Sequence, residues 1–470
     1  MNPDPVHAIV QEDKDCLWHP FTPHSVWFRD DFEPVVIVSG EGSWLTDARG
    51  RRYLDGNSSI WTNLHGHRHP LINQAITEQL NQIAHSSFLG LTHPLAVRLA
   101  QRLLDFARPP SAPLQHPLTR VFYSDDGSTA IEAALKIATQ YFQQNGAPER
   151  TRFLSLGSGY HGDTVGAMSV GQSPQFHASY RHLLFSSDSV PPPACYRCPF
   201  NRAKPERGTD ARLARKCSWE CIHPVEEAAQ RLGSRLAGFV AEPIVQGAAG
   251  FLMHPDGYLS RAAEIIRNTG GLLIFDEVMT GFYRTGTALA YHRENVQPDL
   301  VALAKGLTGG YLPMAATLLT ETLFRGFDGG PDRAFYHGHS YCGNQLGAAA
   351  ALANLELLTQ PDFPQRIESL RQALHEVGQT FWALEWVGDV RQEGTILAIE
   401  LVKNFSSRTP FPPSQRLGAA ICQRAAAYGL LTRPVGNVLL LMPPYSTTPA
   451  EVQKMGEALF RATQEILATA

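Results

Sequence analysis

The sequence predicts an α/β fold: a large domain on a mostly parallel sheet, with a small α+β domain built from both termini. Two observations predict it. Through the middle of the chain, short apolar runs alternate with segments of helical period, as strands buried on both faces do. After about residue 345 that rhythm stops, and long helices and separate strands follow.

The elements read in order as follows. Residues 1–60 are turns and short strands, at Val35–Val38, Trp44–Leu45 and Tyr53–Leu54, punctuated by Gly and Asp. Pro70 followed by Leu71, Ile72, Ala75, Ile76 and Leu80 fits a helix with proline in its first turn, and Pro94–Leu104 fits another. Arg120–Tyr123 reads as a strand and Gly127–Tyr141 as the helix after it. Phe153–Leu156, Ala237–Ala241, Leu272–Phe275 and Leu300–Ala304 are further strands, and Pro255–Thr269 is a helix. Residues 186–222 break the pattern with three prolines in a row, four cysteines and many arginines, and read as an inserted loop. An alanine-rich helix at Gly347–Leu358 leads into Arg366–Val377. Strands Thr395–Val402 and Val438–Met442 and a closing helix Pro449–Leu467 complete the chain. The domains therefore read as 61–344 for the large one, and 1–60 with 345–470 for the small one.

With 470 residues, 43% hydrophobic and 18% charged, the chain has ample material for a core. The net charge of −4 leaves no broad basic footprint for nucleic acid or an anionic membrane. The N-terminus lacks the apolar stretch of a secretory signal, and no run is long enough to span a membrane. Seven cysteines, four of them clustered at 195–221, do not resemble a secreted disulfide framework, so the expected location is the cytoplasm.

In a parallel α/β sheet, ligands bind at the carboxyl ends of the strands. Four polar features follow strands directly. Ser124-Asp-Asp-Gly127-Ser128-Thr129 opens a helix after a glycine turn; it reads either as a phosphate cup or as an ordinary helix cap. Asp276 ends the apolar run Leu272–Phe275, where an unpaired carboxylate is costly; it wants a cation or an N–H group, in a site or in a structural pair. Lys305 ends another apolar strand beside Gly306 and Gly309, and it is one of only seven lysines. Desolvation there lowers an amine's pKa and suits Schiff-base chemistry. Tyr160, between Gly159 and His161-Gly162, is placed to stack on a planar ligand. A phosphate cup, a stacking ring, an acid for a pyridine nitrogen and a lysine for an aldehyde are together what pyridoxal 5'-phosphate (PLP) requires.

The residues also resemble a known family, the class III (ω-)aminotransferases of PLP fold type I, over about 18–445. The motifs are Asp126–Glu132, Gly159–Thr164, Glu242-Pro-Ile-Val-Gln-Gly247, Phe275–Val278 with Thr280–Gly286, and Ala304–Gly310. Within it, Trp18–Thr22, Asp55–Trp61, His337–Ser340 and Arg433-Pro434 with Leu441–Tyr445 are similar to the branch that serves biotin synthesis by aminating 8-amino-7-oxononanoate. The resemblance implies these roles. Lys305 holds PLP and shuttles the proton. Asp276 faces the pyridine nitrogen, Tyr160 stacks on the ring, and Gly127 and Ser128 hold the phosphate. His339 and Ser340 reach that phosphate from the second subunit of a homodimer. Gly338 lies against the substrate, Asp163 takes part in donor recognition, and Arg433 binds the acceptor's carboxylate, a match for its planar fork. Phe21 and Ile60 replace a Tyr and a Trp of the family's substrate pocket, beside a retained Trp61. The donor therefore reads as adenosylmethionine or lysine, and a broader ω-amino acid transaminase is the other reading.

Cys195-x2-Cys198-x18-Cys217-x3-Cys221 has spacing compatible with a structural zinc site, or with a loop of free thiols. The family implies no catalytic metal. His65, His67 and His69, next to Pro70, read as a turn.

Overall fold

The computed structural model describes residues 5–109, 116–171 and 173–469. Its central sheet has seven strands: β1 (Leu118–Ser124), β2 (Arg152–Leu156), β3 (Asp188–Val190), β4 (Leu236–Ala241), β5 (Leu272–Asp276), β6 (Leu300–Leu303) and β7 (Ala315–Thr320). Their spatial order is β1-β7-β6-β5-β4-β2-β3. β7 is antiparallel to both neighbours, and the other pairings are parallel.

Strands β4 to β7 are buried along their whole length, which is why β4, β5 and β6 read as apolar runs. Successive side chains face opposite cores. Leu272 and Ile274 pack with Ala130, Ile131 and Ala134 of the helix Gly127–Gln144; Leu273 and Phe275 join the larger core on the other face. The carboxyl ends of β4, β5 and β6 thus lie side by side. Each carries a polar residue there or just beyond: Glu242, Asp276 and Lys305.

Two smaller sheets draw on the chain's ends. Ile37–Glu41, Trp44–Asp47 and Arg52–Asp55 form an antiparallel ladder, and Leu430–Leu431 adds to it as a parallel fourth strand. Val387–Glu393, Ile396–Asn404, Thr409–Pro410 and Val438–Leu441 form an antiparallel sheet. Ser43 and Thr447 hydroxyls meet at 2.7 Å, and Ser58 donates to the Met442 carbonyl at 2.7 Å, stitching the two ends together.

The structure corrects the sequence reading at three places. Residues 1–60 also contain a helix, Pro5–Cys16, whose buried face is only Val6 and Val10, too little to show a period. The segment 186–222 begins with β3, the edge strand of the main sheet; residues 191–219 beyond it form no helix or strand. Strands β7 and Val387–Glu393 were not expected, because Ala315-Ala316 have low strand preference and Val387–Glu393 is highly charged. That charge is buried and paired. Arg391 donates to Asp389 at 2.9 Å and to Glu400 at 2.7 Å, and Arg197 from the irregular segment donates to Glu400 at 2.6 Å.

Candidate active site

A cavity of about 430 Å³ opens at the carboxyl ends of β4, β5 and β6. Gly127, Ser128, Tyr160, Asp276, Lys305 and Trp61 all line it, together with His161 and Glu242. The strand-end residues singled out in the sequence therefore converge.

Asp276 is buried and fully engaged. It accepts from the Val278 backbone N–H at 3.0 Å and from His161 Nδ1 at 2.8 Å. Burial pulls the His161 pKa down, but the hydrogen bond and charge of Asp276 and the charge of Glu242 outweigh it, so the imidazole is held above its usual range. Glu242 accepts from the Gly247 N–H at 2.8 Å and the Tyr160 N–H at 3.3 Å, and burial pushes it up to about 7. Lys305 follows β6 with φ at 43°, a left-handed conformation that costs a side chain energy and often marks a functional site. Its Nζ stands 5.1 Å from the centre of the Trp61 ring. Burial lowers its pKa, opposed by the charges of Asp276 and Glu242. An amine with depressed basicity beside a fixed carboxylate is suited to attack a carbonyl and to carry a proton.

The helix-cap reading of Asp126–Thr129 is realised. Asp126 accepts from the Thr129 N–H at 2.9 Å, and the Thr129 hydroxyl accepts from the Asp126 N–H at 3.1 Å, closing a capping box. Gly127 and Ser128, the first two helical residues, are left facing the cavity. A side chain at Gly127 would strike Val278, 2.7 Å away. The opposing wall is Gly162, with φ at 122°, whose added Cβ would lie 2.0 Å from Ser128 Oγ and 2.8 Å from its Cα. Gly162→Ala is expected to cost about 3 kcal/mol and to weaken retention of a phosphate-bearing cofactor. Thermal melts and a PLP titration of the apoprotein test this; an unchanged melt and affinity would refute it.

Trp61 reaches the cavity on an unusual turn that also carries Ile60, which is exposed and does not line it. Ser58, Ser59, Ile60 and Trp61 all have φ between 48° and 69°, one turn of left-handed helix, at about 1–2 kcal/mol per residue. Asp55 holds it by accepting from the Ser59 N–H at 2.9 Å and its hydroxyl at 2.8 Å. Phe21 is exposed, with its ring 5.6 Å from Phe176, which in turn lies 5.6 Å from Tyr160. Asp163 accepts from the Tyr160 hydroxyl at 2.8 Å. His339 is exposed at the edge of the cup, 3.4 Å from Asp125, and Gly338 and Ser340 beside it are exposed as well. Arg433 is exposed and does not line the cavity.

The sequence profile of the family described as Aminotransferase class-III matches residues 28–463. The chain belongs to the class-III aminotransferases. It is 42% identical over 456 residues to the adenosylmethionine-8-amino-7-oxononanoate aminotransferase of Geobacter sulfurreducens, covering 97% of each chain. The crystal structure of the Methanocaldococcus jannaschii protein of that name superposes with a TM-score of 0.88 at 36% identity, covering 98% of this chain and 99% of the other. An amine transaminase from an uncultivated Pseudomonas species, in a PLP-bound form, gives 0.86 at 34% identity, covering 96% and 98%. The α/β architecture is therefore that of the PLP-dependent fold type I transaminases.

Sequence reasoning gave no role to two residues of this aminotransferase's cavity, Glu242 and His161. Glu242 follows β4 as Lys305 follows β6, so the strand-end rule could have found it. His161 sits inside the quoted Gly159–Thr164 motif, but only the fold aims it at Asp276. The cysteines of the aminotransferase lie elsewhere. Cys195, Cys198, Cys217 and Cys221 line one small cavity with Trp219 and Pro255, as free thiols. Burial pushes Cys195 up to about 12 and Cys221 up to about 11, which favours thiol over thiolate. Among the described residues, no group of three or more His, Cys, Asp or Glu is placed to hold a metal ion. His65 instead bonds Asn354 at 2.8 Å and His67 bonds Asp55 at 3.1 Å.

Proposed function

We propose that this aminotransferase uses PLP to transfer an amino group to 8-amino-7-oxononanoate, giving 7,8-diaminononanoate for biotin synthesis, with S-adenosyl-L-methionine as donor. The observation that supports it most is the convergence of Lys305, Asp276, Tyr160, Gly127 and Ser128 on one cavity, in a chain similar along nearly its whole length to relatives that bear that activity in their names. Bound PLP supplies an electrophilic aldehyde and an electron-accepting pyridinium ring. The chain supplies the rest. Lys305 would hold the cofactor through its amine and, with its lowered basicity, would serve as the proton carrier. Asp276, steadied by His161, keeps a proton on the pyridine nitrogen. The N–H groups at the start of the helix Gly127–Gln144 and the Ser128 hydroxyl bind the phosphate. Tyr160 covers the ring, Gly338 borders the substrate, and Asp163, hydrogen-bonded to the Tyr160 hydroxyl, recognises the donor.

We assign Arg433 to the acceptor's carboxylate. Its guanidinium has no hydrogen-bond or ion-pair partner among the described residues, so it is free to take one. The working unit is proposed as a homodimer with His339 and Ser340 contributed across the interface. Exposed Leu89, Leu91, Tyr336 and Tyr341 flank that region and support it. We keep the division into 61–344 and 1–60 with 345–470, supported by the two sheets that draw on the chain's ends. No helix among the described residues is long and apolar enough to cross a membrane, and we place the enzyme in the cytoplasm.

A second reading, lysine as donor, is favoured by Phe21 and Ile60, which alter the wall that a donor meets. A coupled assay with 8-amino-7-oxononanoate, comparing adenosylmethionine with lysine, decides between them. We expect turnover with adenosylmethionine. Turnover with neither donor would leave the broader ω-transaminase reading. Arg433→Ala is expected to raise the acceptor's KM by about tenfold or more while leaving the spectrum of bound PLP unchanged. An unaltered KM would remove the assigned role.

A further inference from the structure

Asp163 is held at one oxygen only. Its Oδ2 accepts from the Tyr160 hydroxyl, and its side chain is 48% exposed. The other oxygen, Oδ1, faces the Nε2 of His177 at 3.6 Å, just outside hydrogen-bond range. His177 is itself anomalous. Its side chain is only 5% exposed, yet neither ring nitrogen has a hydrogen-bond partner among the described residues. A buried polar group left unpaired is costly, and one that persists in a fold calls for an explanation.

The surroundings fix this ring rather than leaving it loose. It stacks on Tyr160, with centroids 5.8 Å apart and planes at 23°. On another side is Gly171, where an added Cβ would fall 2.8 Å from His177 Cε1, so the backbone is packed close against the imidazole. The neighbouring Phe176 continues the aromatic contacts to the exposed Phe21. Among the described residues, the polar group that faces Nε2 is the Oδ1 oxygen of Asp163. A shift of about half an ångström closes the bond.

We propose that His177 is a positioning residue for the amino donor: it fixes the Asp163 carboxylate, beside the cavity-lining Tyr160, by the oxygen that Tyr160 leaves free. This rests on the reading of Asp163 as the donor-recognising residue. Held at two points, the carboxylate presents its charge to a cationic donor at one place. Held at one, it pivots about its bond to Tyr160 and is shared with water. His177 acts only through Asp163 and touches neither donor nor cofactor.

Steady-state kinetics on the holoenzyme, with S-adenosyl-L-methionine and 8-amino-7-oxononanoate varied separately, test the proposal. His177→Phe keeps the stacking but removes both nitrogens. It is expected to raise the adenosylmethionine KM about tenfold, with kcat and the acceptor KM within about twofold. His177→Gln places an amide nitrogen near the position of Nε2 and is expected to restore the donor KM; His177→Asn, too short to reach, is not. If the Phe variant does not fold, the Gln and Asn pair answers the same question. In the double variant with Asp163→Asn, His177→Phe is expected to add no further effect. A raised donor KM in Asp163→Asn with none in His177→Phe would overturn the role of His177 alone. An unchanged donor KM in Asp163→Asn would overturn the donor-site reading beneath it.

Discussion

Lys305→Ala is expected to lower kcat by more than about ten-thousandfold, with the chain still folded. The sequence has seven lysines, and among the described residues lining the cavity Lys305 is the only one. Lys14 is occupied with the carbonyls of Arg29 and Phe32, and Lys136 with His337, so neither can substitute. The amine is also prepared where it stands: burial lowers its basicity, and the Trp61 ring and the strained backbone fix its direction. Alanine removes both the covalent anchor for the cofactor and the proton carrier. Three measurements check it together: kcat, the visible absorbance band of lysine-bound pyridoxal, and a thermal melt. Activity within about a hundredfold of the parent, with an intact melt, would show that another group performs the proton transfer.

The placement of Lys305 and Asp276 at the sheet's edge was legible in the sequence because it depends on sequence-local features. An apolar run marks a buried strand, and the first polar residue past it sits at the sheet's carboxyl edge. The same logic covers Gly127 and Ser128, since a glycine turn and a helix start are local too. The elements that escaped are those set by distant contacts. Four consecutive left-handed residues at Ser58–Trp61 have no sequence signature, because Asp55 and the Met442 carbonyl, not local preference, hold them there. The helix Pro5–Cys16 buries only two valines and leaves Ile9 exposed, so its period is too faint to read. His177 lies at the end of a four-residue helix with no period at all, and only tertiary packing brings it beside Asp163. The buried charges of Val387–Glu393 argued against a strand until Arg391 and Arg197 were seen to pair with Glu400.

Asp276→Asn carries the second large effect, a fall in kcat of about a hundred- to a thousandfold. An asparagine keeps the shape of the side chain and can still accept from the Val278 N–H. What it loses is the charge that holds a proton on the pyridine nitrogen and on His161. The second of these makes the substitution visible without substrate. In the parent, His161 has a raised pKa, because the hydrogen bond and charge of Asp276, with Glu242, exceed the opposing effect of burial. A group raised in the folded state contributes stability that is fully present below its unfolded pKa, about 6.5 for histidine, and is lost as pH rises through the folded value. Removing the Asp276 charge leaves burial dominant, so the sign reverses: the variant is penalised as pH falls through about 6.5 and little affected well above the parent's folded value. Melting temperatures of parent and variant are therefore expected to diverge toward acid pH and to converge toward alkaline pH. His161→Gln is expected to reproduce the loss of the pH-dependent term with a smaller fall in kcat, since Asp276 keeps its charge. A constant stability gap across the pH range would mean that the Asp276–His161 contact is neutral in the folded protein, and the protonated imidazole would have to be given up.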